Sequence, residues 1–136
     1  MGRTFLRIAR IAAVAALVCG LAGGASAEAV WTCAGKEVLR LHATVGGVTP
    51  DKRVEKLDER VNNLLSKHAV VSASDIAIAR KHGQVTITAF GDILVTVAPD
   101  DAAANHISRE RLAHTWLTNL RGTLPLMSPR VNKHGA

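Results

Sequence analysis

Apolar residues with a period of two, between residues 75 and 97, constrain the fold of this chain more than any other feature. They form three sets, in which branched apolar residues alternate with other side chains: Ile76 and Ile78; Val85 and Ile87; Ile93, Val95 and Val97. Alternation of this kind is typical of a strand with one buried face. The sets are separated by 81–84 and 91–92, which contain glycine and suit tight turns. The pattern therefore predicts an antiparallel meander of three strands.

A β-hairpin is predicted ahead of the meander. Residues 30–33 and 38–43 are short β-like runs on either side of Gly35, a residue that readily adopts the positive φ of a hairpin loop. In the second run the even-numbered residues, beginning with Val38, are expected on the exposed face. The odd-numbered residues are expected on the buried face, and they are Leu39, Leu41 and Ala43.

Two amphipathic helices are predicted, one on each side of the meander. Thr49 can cap the first helix, and Pro50 suits its first position because the N–H that proline lacks has no helical partner there. This helix should end between residues 66 and 68, and its apolar face consists of Val54, Leu57, Val61 and Leu64. Ser108 is the expected N-cap of the second helix, which Gly122 and Pro125 should end.

These elements predict the order ββ-α-βββ-α and the α+β fold class. We expect a two-layer sandwich in which a mainly antiparallel sheet carries both helices on one face. The chain should form a single small domain over residues 28–126, followed by a flexible C-terminal tail over residues 127–136. The pattern leaves the strand order open.

Residues 1–27 have the three parts of a cleavable signal peptide. Arginines at positions 3, 7 and 10 precede an apolar run over residues 11–21, and small residues at 25–27 form a predicted cleavage site after Ala27. The apolar run is about half as long as the roughly 20 residues that span a bilayer, which disfavours an uncleaved anchor. We therefore expect a periplasmic or secreted protein whose mature chain begins at Glu28.

The charge balance changes once the signal peptide is removed. The signal takes three arginines, so 14 Lys and Arg remain against 11 Asp and Glu, and the net charge falls from +6 to about +3. Because these charges are scattered along the sequence, we predict no nucleic-acid partner. No later stretch is long and apolar enough to cross a membrane, so we expect no transmembrane segment in the mature chain.

Cys33 and Trp31 are the two residues with a predicted interaction or redox role. Cys19 leaves with the signal peptide, so Cys33 is the single cysteine of the mature chain and has no partner for an internal disulfide. Its apolar surroundings favour burial over the alternatives, which are a reactive thiol and a dimer crosslinked through Cys33. Trp31 is expected in the core, and the alternative is an exposed contact surface near the mature N-terminus.

Known catalytic and metal-binding motifs are missing from the sequence. The histidines at positions 42, 68, 82, 106, 114 and 134 fall in no recognised spacing, and HExxH, paired CxxC, GxSxG and a phosphate-binding glycine loop do not occur. We therefore predict no catalytic residue, no metal site and no cofactor.

Asp100 and Asp101 follow the last strand of the meander, and they could serve either an active site or a turn. They lack the alternating acids and the bidentate glutamate of a calcium loop, and Asx side-chain bonds favour a turn at residues 99–101 instead. Arg53 and Arg60, seven residues apart on one helix face, are expected either to form an ion pair or to remain solvated, and a site for an acidic ligand is the less favoured alternative. The candidate partners are Asp75, Asp92 and the acidic pair Asp100 and Asp101.

Several segments together resemble a known family. DKRVEKLDERVNNLL, SDIAIA, DILVTVAPDDAAAN and LAHTWLTNLRGTLP, within residues 35–126, are similar to an extracytoplasmic segment that precedes the membrane core of some bacterial small-conductance mechanosensitive channel proteins. Those proteins continue into transmembrane helices, which these 136 residues do not contain, so channel activity is not implied. The resemblance implies an exported envelope module, and it carries no catalytic residue onto this chain.

The sequence favours a non-enzymatic binding or accessory module of the cell envelope, with an envelope or membrane protein as its partner. Strand addition to an exposed sheet edge is one physical route to such binding. The alternative is a small extracytoplasmic enzyme or ligand-binding protein, with a site assembled from residues distant in sequence.

Overall fold

The computed structural model describes residues 28–128 and confirms the predicted α+β class and element order. The predicted signal peptide and residues 129–136 lie outside the described residues. The elements are β1 (Ala29–Cys33), β2 (Lys36–Leu41), α1 (Pro50–Lys67), β3 (Ile76–Lys81), β4 (Gln84–Ala89), β5 (Asp92–Val97), α2 (Pro99–Ala104) and α3 (Arg109–Thr123). Short 3₁₀ turns over Ala73–Asp75 and Leu124–Met127 precede β3 and follow α3.

The five strands form two antiparallel sheets, where we expected one. β1 pairs with β2, while β3, β4 and β5 lie side by side in sequence order and confirm the predicted meander. Each of the two long helices, α1 and α3, contacts strands of both sheets. A shared apolar core therefore joins the two sheets through the helices, in place of a continuous ladder of backbone hydrogen bonds.

Three two-residue turns close the hairpins: Ala34-Gly35, His82-Gly83 and Phe90-Gly91. All six residues have a positive φ, between 51° and 85°. This is the backbone of a type I′ turn, whose twist matches that of the flanking strands. The positive φ predicted for Gly35 is confirmed. The first position of each turn, however, holds a side chain in the left-handed region, which costs about 1 kcal/mol.

A β-bulge changes which side of β5 is buried. Ile87 pairs with Val95 and Thr88 pairs with Ile93, so Leu94 is an extra residue without a cross-strand partner. One extra residue reverses the alternation of faces. As a result Ile93 is 48% exposed and Leu94 is 2% exposed, and the prediction that Ile93 faces the core is wrong.

A second irregularity lies in the first hairpin, between Trp31 and Thr32. Val38 is buried beside Leu39, so the expectation that Val38 faces water is also wrong. The Asn119 amide of α3 donates to the Val38 carbonyl at 2.9 Å, so α3 reaches the outer edge of β2. A strand with apolar neighbours on both faces buries consecutive residues.

Both long helices begin where the sequence predicts. The Thr49 hydroxyl accepts a hydrogen bond from the Lys52 N–H, Pro50 occupies the first helical position, and α1 ends at Lys67. The Ser108 hydroxyl caps α3. Within residues 28–128, none of the helices combines the length and the apolar character that a membrane crossing demands.

The packed domain continues two residues past the expected boundary at 126. Met127 packs partly buried against the core, and Ser128 is completely buried. The Ser128 hydroxyl accepts a hydrogen bond from the Val71 N–H at 2.8 Å. Because a buried N–H needs such a partner, Ser128 belongs to the domain rather than to a tail.

Candidate functional site

The fold separates the two carboxylates that follow β5. Asp101 is completely buried, whereas Asp100 lies in solvent. Residues 99–104 form the helix α2 instead of the expected turn, because Pro99 starts a helix and the Asp101 carboxylate accepts the free N–H of Ala98 at 3.3 Å. The acidic pair is therefore a helix start, and only one of its members is open to a ligand.

The Asp101 carboxylate forms an ion pair with Arg53 of α1. The Arg53 Nη2 atom lies 2.9 Å from Asp101 Oδ2, and Nη1 lies 3.2 Å from Oδ1. Asp101 Oδ1 also accepts from the N–H groups of His42 and Ala43, each at 2.8 Å. Of the alternatives for Arg53, the ion pair is therefore confirmed.

Both Nη atoms of Arg53 also donate to backbone carbonyls. Nη1 donates to the Ala43 carbonyl at 2.7 Å, and Nη2 donates to the Thr96 carbonyl at 2.9 Å. The pair thus ties α1 to the end of β2, to β5 and to α2. Every buried side-chain nitrogen and oxygen within residues 28–128 has a hydrogen-bond partner. The carboxylate of Asp101 and both Nη atoms of Arg53 are thus engaged in holding the fold.

Trp31 and Cys33 both lie in the core. Trp31 is 3% exposed, and its indole N–H donates to the Asp58 carboxylate of α1 at 3.4 Å. Cys33 is 5% exposed and its sulfur lies against the Met127 thioether. Burial, and to a smaller extent the charge of Asp58, raises the pKa of the Cys33 thiol above its usual value. Neither residue presents its side chain as an open contact surface.

A depression of about 350 Å³ lies beside Cys33, between the first hairpin and the end of α3. Its lining includes Lys36, Asn119, Leu126 and Met127. Leu126 is the most exposed large apolar residue here, at 65%. A thiol with a raised pKa is a poor nucleophile at neutral pH, because the thiolate is the reactive form. The depression can hold a small molecule but offers no activated nucleophile.

The histidines of the described residues do not assemble a metal site. Within residues 28–128, no group of three or more His, Cys, Asp and Glu side chains is arranged to hold a metal ion. His68 stacks on Phe90 with 3.7 Å between ring centroids, which attaches the end of α1 to the β4–β5 turn. His134, the remaining histidine, lies outside the described residues.

A groove runs between α1 and the outer edge of β5, and we call it the basic groove. It consists of two adjoining depressions of about 110 and 200 Å³. Both depressions contain Arg60 and Leu94, and the second ends at Asp92. The side chains that α1 contributes are Arg53, Lys56, Arg60, Asn63, Leu64, Lys67 and His68 just beyond its end.

The basic residues lie on one side of α1 because of their spacing. Positions 53, 56, 60, 63 and 67 are separated by three or four residues, which places them along one stripe of a helix. The acidic positions 51, 55, 58 and 59 lie mainly on the other sides of the helix, and Glu59, three residues from Lys56, borders the stripe. The shared face of Arg53 and Arg60 was predicted, but the contribution of Lys56 and Lys67 to it was not. Sorting the charges of the helix by this spacing would have found the stripe.

The arginines of this stripe also close the outer edge of β5. Arg60 Nη1 donates to the Leu94 carbonyl at 3.0 Å, as Arg53 does to the Thr96 carbonyl. Carbonyls of an edge strand that already accept hydrogen bonds do not offer a complete ladder to an added strand. Strand addition, which we expected as one binding route, is therefore disfavoured at this edge.

The basic groove contains donors and positive charges, but no nucleophile paired with a base. Lys56, Arg60 and Lys67 are exposed, and each can donate to a carboxylate or another anion. Asp92 is the single acid in the lining of the two depressions. This arrangement suits the binding of a negatively charged group better than acid–base catalysis.

Comparison with known proteins identified one family. The model of a family described as a domain of unknown function (DUF8459) matches residues 30–125, which is most of the 136-residue chain. The matched segment includes all five strands and all three helices, apart from Ala29 at the start of β1. No curated protein and no solved structure matches the chain.

Proposed function

The chain belongs to the DUF8459 family of domains of unknown function, and from this premise we propose that it is a non-enzymatic binding or accessory module of the cell envelope. Its partner is an envelope or membrane protein, and it acts in the periplasm or in the exported fraction. It binds through a surface that is already formed before the partner arrives.

The basic groove is the observation that carries this proposal. Its walls are a helix of 18 residues and a strand fixed to that helix by the guanidinium groups of Arg53 and Arg60. A site on regular elements keeps its geometry better than a site on loops, and a preorganised surface loses less entropy on binding. The exposed cations on this rigid frame favour recognition of a partner.

Two features of the sequence support the location and the class of partner. The predicted signal peptide over residues 1–27 directs the domain out of the cytoplasm. The resemblance to a segment of mechanosensitive channel proteins associates such a domain with the envelope. Both are expectations from sequence, and the proposal joins them to the groove.

Site-specific photocrosslinking in cells tests the proposal. A photoreactive amino acid placed at Lys56, in the groove, should capture an envelope protein as a discrete product of higher mass. The matched control carries the same amino acid at Asn62, which is exposed on another side of α1. Equal products from both positions, or none from either, would count against the proposal.

The second candidate is a small extracytoplasmic enzyme or ligand-binding protein. The depression beside Cys33 favours it, because a volume of about 350 Å³ falls within the range of small-molecule sites. Replacing Gly122 in its wall with a bulky residue fills this depression and leaves the basic groove unchanged. If Gly122→Leu abolishes the biological role while crosslinking at Lys56 persists, the second candidate is correct.

A further inference from the structure

We infer that the basic groove binds an extended, acidic segment of the partner protein. This inference rests on the proposed function and adds the chemistry of the partner. The occupant is a peptide stretch with carboxylates at alternate positions, which lies along α1 in the cleft beside β5.

The cations of the groove are open to a ligand. Lys56, Arg60 and Lys67 are exposed, and none of them forms a salt bridge within residues 28–128. By contrast Lys52, also on α1, is paired with Glu55 at 2.8 Å. Unpaired cations in a shared cleft attract an anionic ligand more strongly than cations already neutralised by neighbours.

The positive charge of the groove is a local property of the molecule. Residues 28–128 contain 12 Lys and Arg against 11 Asp and Glu, so the described domain as a whole is almost neutral. The groove nevertheless gathers three exposed cations besides the Asp101-paired Arg53, and its lining contains one acid, Asp92. This segregation provides charge complementarity to an acidic partner, which a uniformly mixed surface would not provide.

The spacing of the cations fits an extended chain. With a rise of 1.5 Å per residue, positions 56 and 60 are about 6 Å apart along the helix, and positions 56 and 67 about 16 Å. In an extended peptide, side chains on one face repeat every ~7 Å, so three alternate carboxylates span about 14 Å. The long, flexible lysine side chains absorb the difference. A single phosphate group is too small to contact all three cations together.

The carbonyls of β5 limit how the segment is held. Leu94 and Thr96 already accept hydrogen bonds from Arg60 and Arg53, so the incoming backbone cannot form a full ladder at this edge. The side-chain carboxylates therefore provide most of the attraction. Binding of this kind tolerates changes in the neutral residues of the segment and weakens as salt is added.

Fluorescence anisotropy with a labelled ten-residue peptide of alternating glutamate and threonine tests the inference. The groove variant is the triple Lys56→Gln/Arg60→Gln/Lys67→Gln. The matched control is Lys36→Gln/Lys81→Gln/Arg111→Gln, which removes the same charge from exposed positions elsewhere. We expect the groove variant to weaken binding at least tenfold, and the control variant to weaken it less than threefold.

Three results with the variants and peptides would overturn the inference. They are equal weakening by the two triple variants, undetectable binding of the peptide at millimolar concentration, and equal binding by a peptide of the same composition with its glutamates in one block. Vesicles of anionic lipid and inorganic phosphate are tested in parallel. If either binds at the groove more tightly than the peptide, the occupant is not a protein segment.

The proposed function and this inference fail in different ways. Crosslinking at Lys56 to an envelope protein, combined with no binding of the acidic peptide, preserves the proposed function and removes the inference. Circular dichroism of both triple variants must match the wild-type spectrum. If the groove triple variant is unfolded, the single variant Arg60→Lys, which retains the charge, should bind the peptide within threefold of wild type, whereas Lys56→Glu should bind at least tenfold more weakly.

Discussion

The Arg53–Asp101 pair holds two opposite charges almost entirely out of solvent, since Arg53 is 8% exposed and Asp101 is completely buried. Such a pair is compatible with a stable fold only when the remaining donors and acceptors are also satisfied, because desolvation of the charges is costly. Here the backbone of His42, Ala43 and Thr96 provides those partners. Removal of one member leaves a buried charge without its counterion.

Asp101→Asn should therefore destabilise the domain strongly, by about 3 kcal/mol or more, because Arg53 loses its buried counterion. Asp100→Asn, next to it in sequence but exposed, should change the free energy of unfolding by less than about 0.5 kcal/mol. Urea unfolding followed by circular dichroism measures both. The double variant Arg53→Met/Asp101→Asn should be more stable than Asp101→Asn alone, because it removes the unpaired charge while the amide oxygen can still accept from the His42 and Ala43 N–H groups. Equal effects of the two aspartate variants would contradict the assignment.

The raised pKa of the buried Cys33 thiol predicts a specific dependence of stability on pH. Because burial raises its pKa in the folded protein, the unfolded chain releases the thiol proton first as the pH rises. The stability that Cys33 contributes is complete below the thiol's usual pKa of about 8.5 and declines above it. The stability difference between wild type and Cys33→Ala should thus shrink between pH 7 and pH 10. A constant difference over this range would show that the thiol is not held in its neutral form.

At the scale of the element, the hairpin turns need a left-handed backbone at a position that their sequences fill with residues poorly suited to it. Position one of each type I′ turn has a positive φ, yet it is occupied by Ala34, His82 or Phe90. Asparagine adopts this conformation more readily than alanine does. Ala34 is exposed, so its replacement changes little else.

Ala34→Asn should therefore stabilise the domain by about 0.5–1 kcal/mol, through relief of backbone strain. Ala34→Val, with a branched side chain at the same φ, should destabilise it. Thermal unfolding of the two variants beside wild type measures both changes. If the asparagine variant proved less stable than the valine variant, the turn would not have the type I′ backbone.

The elements with local signals were predictable, and those without were not. Thr49 and Ser108 mark the starts of α1 and α3 because a cap acts on the three residues that follow it. The bulge at Leu94 has no such mark, since it depends on pairing with β4. The extra residue buries Leu94 and exposes Ile93. The alternation of apolar residues in the sequence predicts the opposite.

The candidate site was only partly predictable for a similar reason. Arg53 and Asp101 are 48 residues apart, and the sequence offered other acids as equivalent partners. The choice depends on α2, a short helix of six residues that brings Asp101 against α1. The basic stripe of α1, by contrast, follows from spacing alone. That this stripe lies beside β5 could be learned only from the structure.

At the scale of the whole molecule, the proposed export makes the burial of Cys33 important. Exported proteins meet oxidising conditions, in which an exposed odd cysteine tends to form intermolecular disulfides. Cys33 is buried against Met127, at the point where the chain continues past α3. The closing segment of the domain thus shields the one cysteine that would remain after export.

Export itself predicts the mass of the mature protein. If residues 1–27 act as a signal peptide, protein recovered outside the cytoplasm should begin at Glu28, because signal peptidase requires small residues just before the cleaved bond. Ala27→Leu should block cleavage and leave a heavier, membrane-retained form, whereas Ala13→Leu, within the apolar run, should be processed normally. Intact-mass spectrometry of fractionated cells separates these forms. Cytoplasmic protein that retains residues 1–27 would exclude an exported module, and normal processing of Ala27→Leu would place the cleavage site elsewhere.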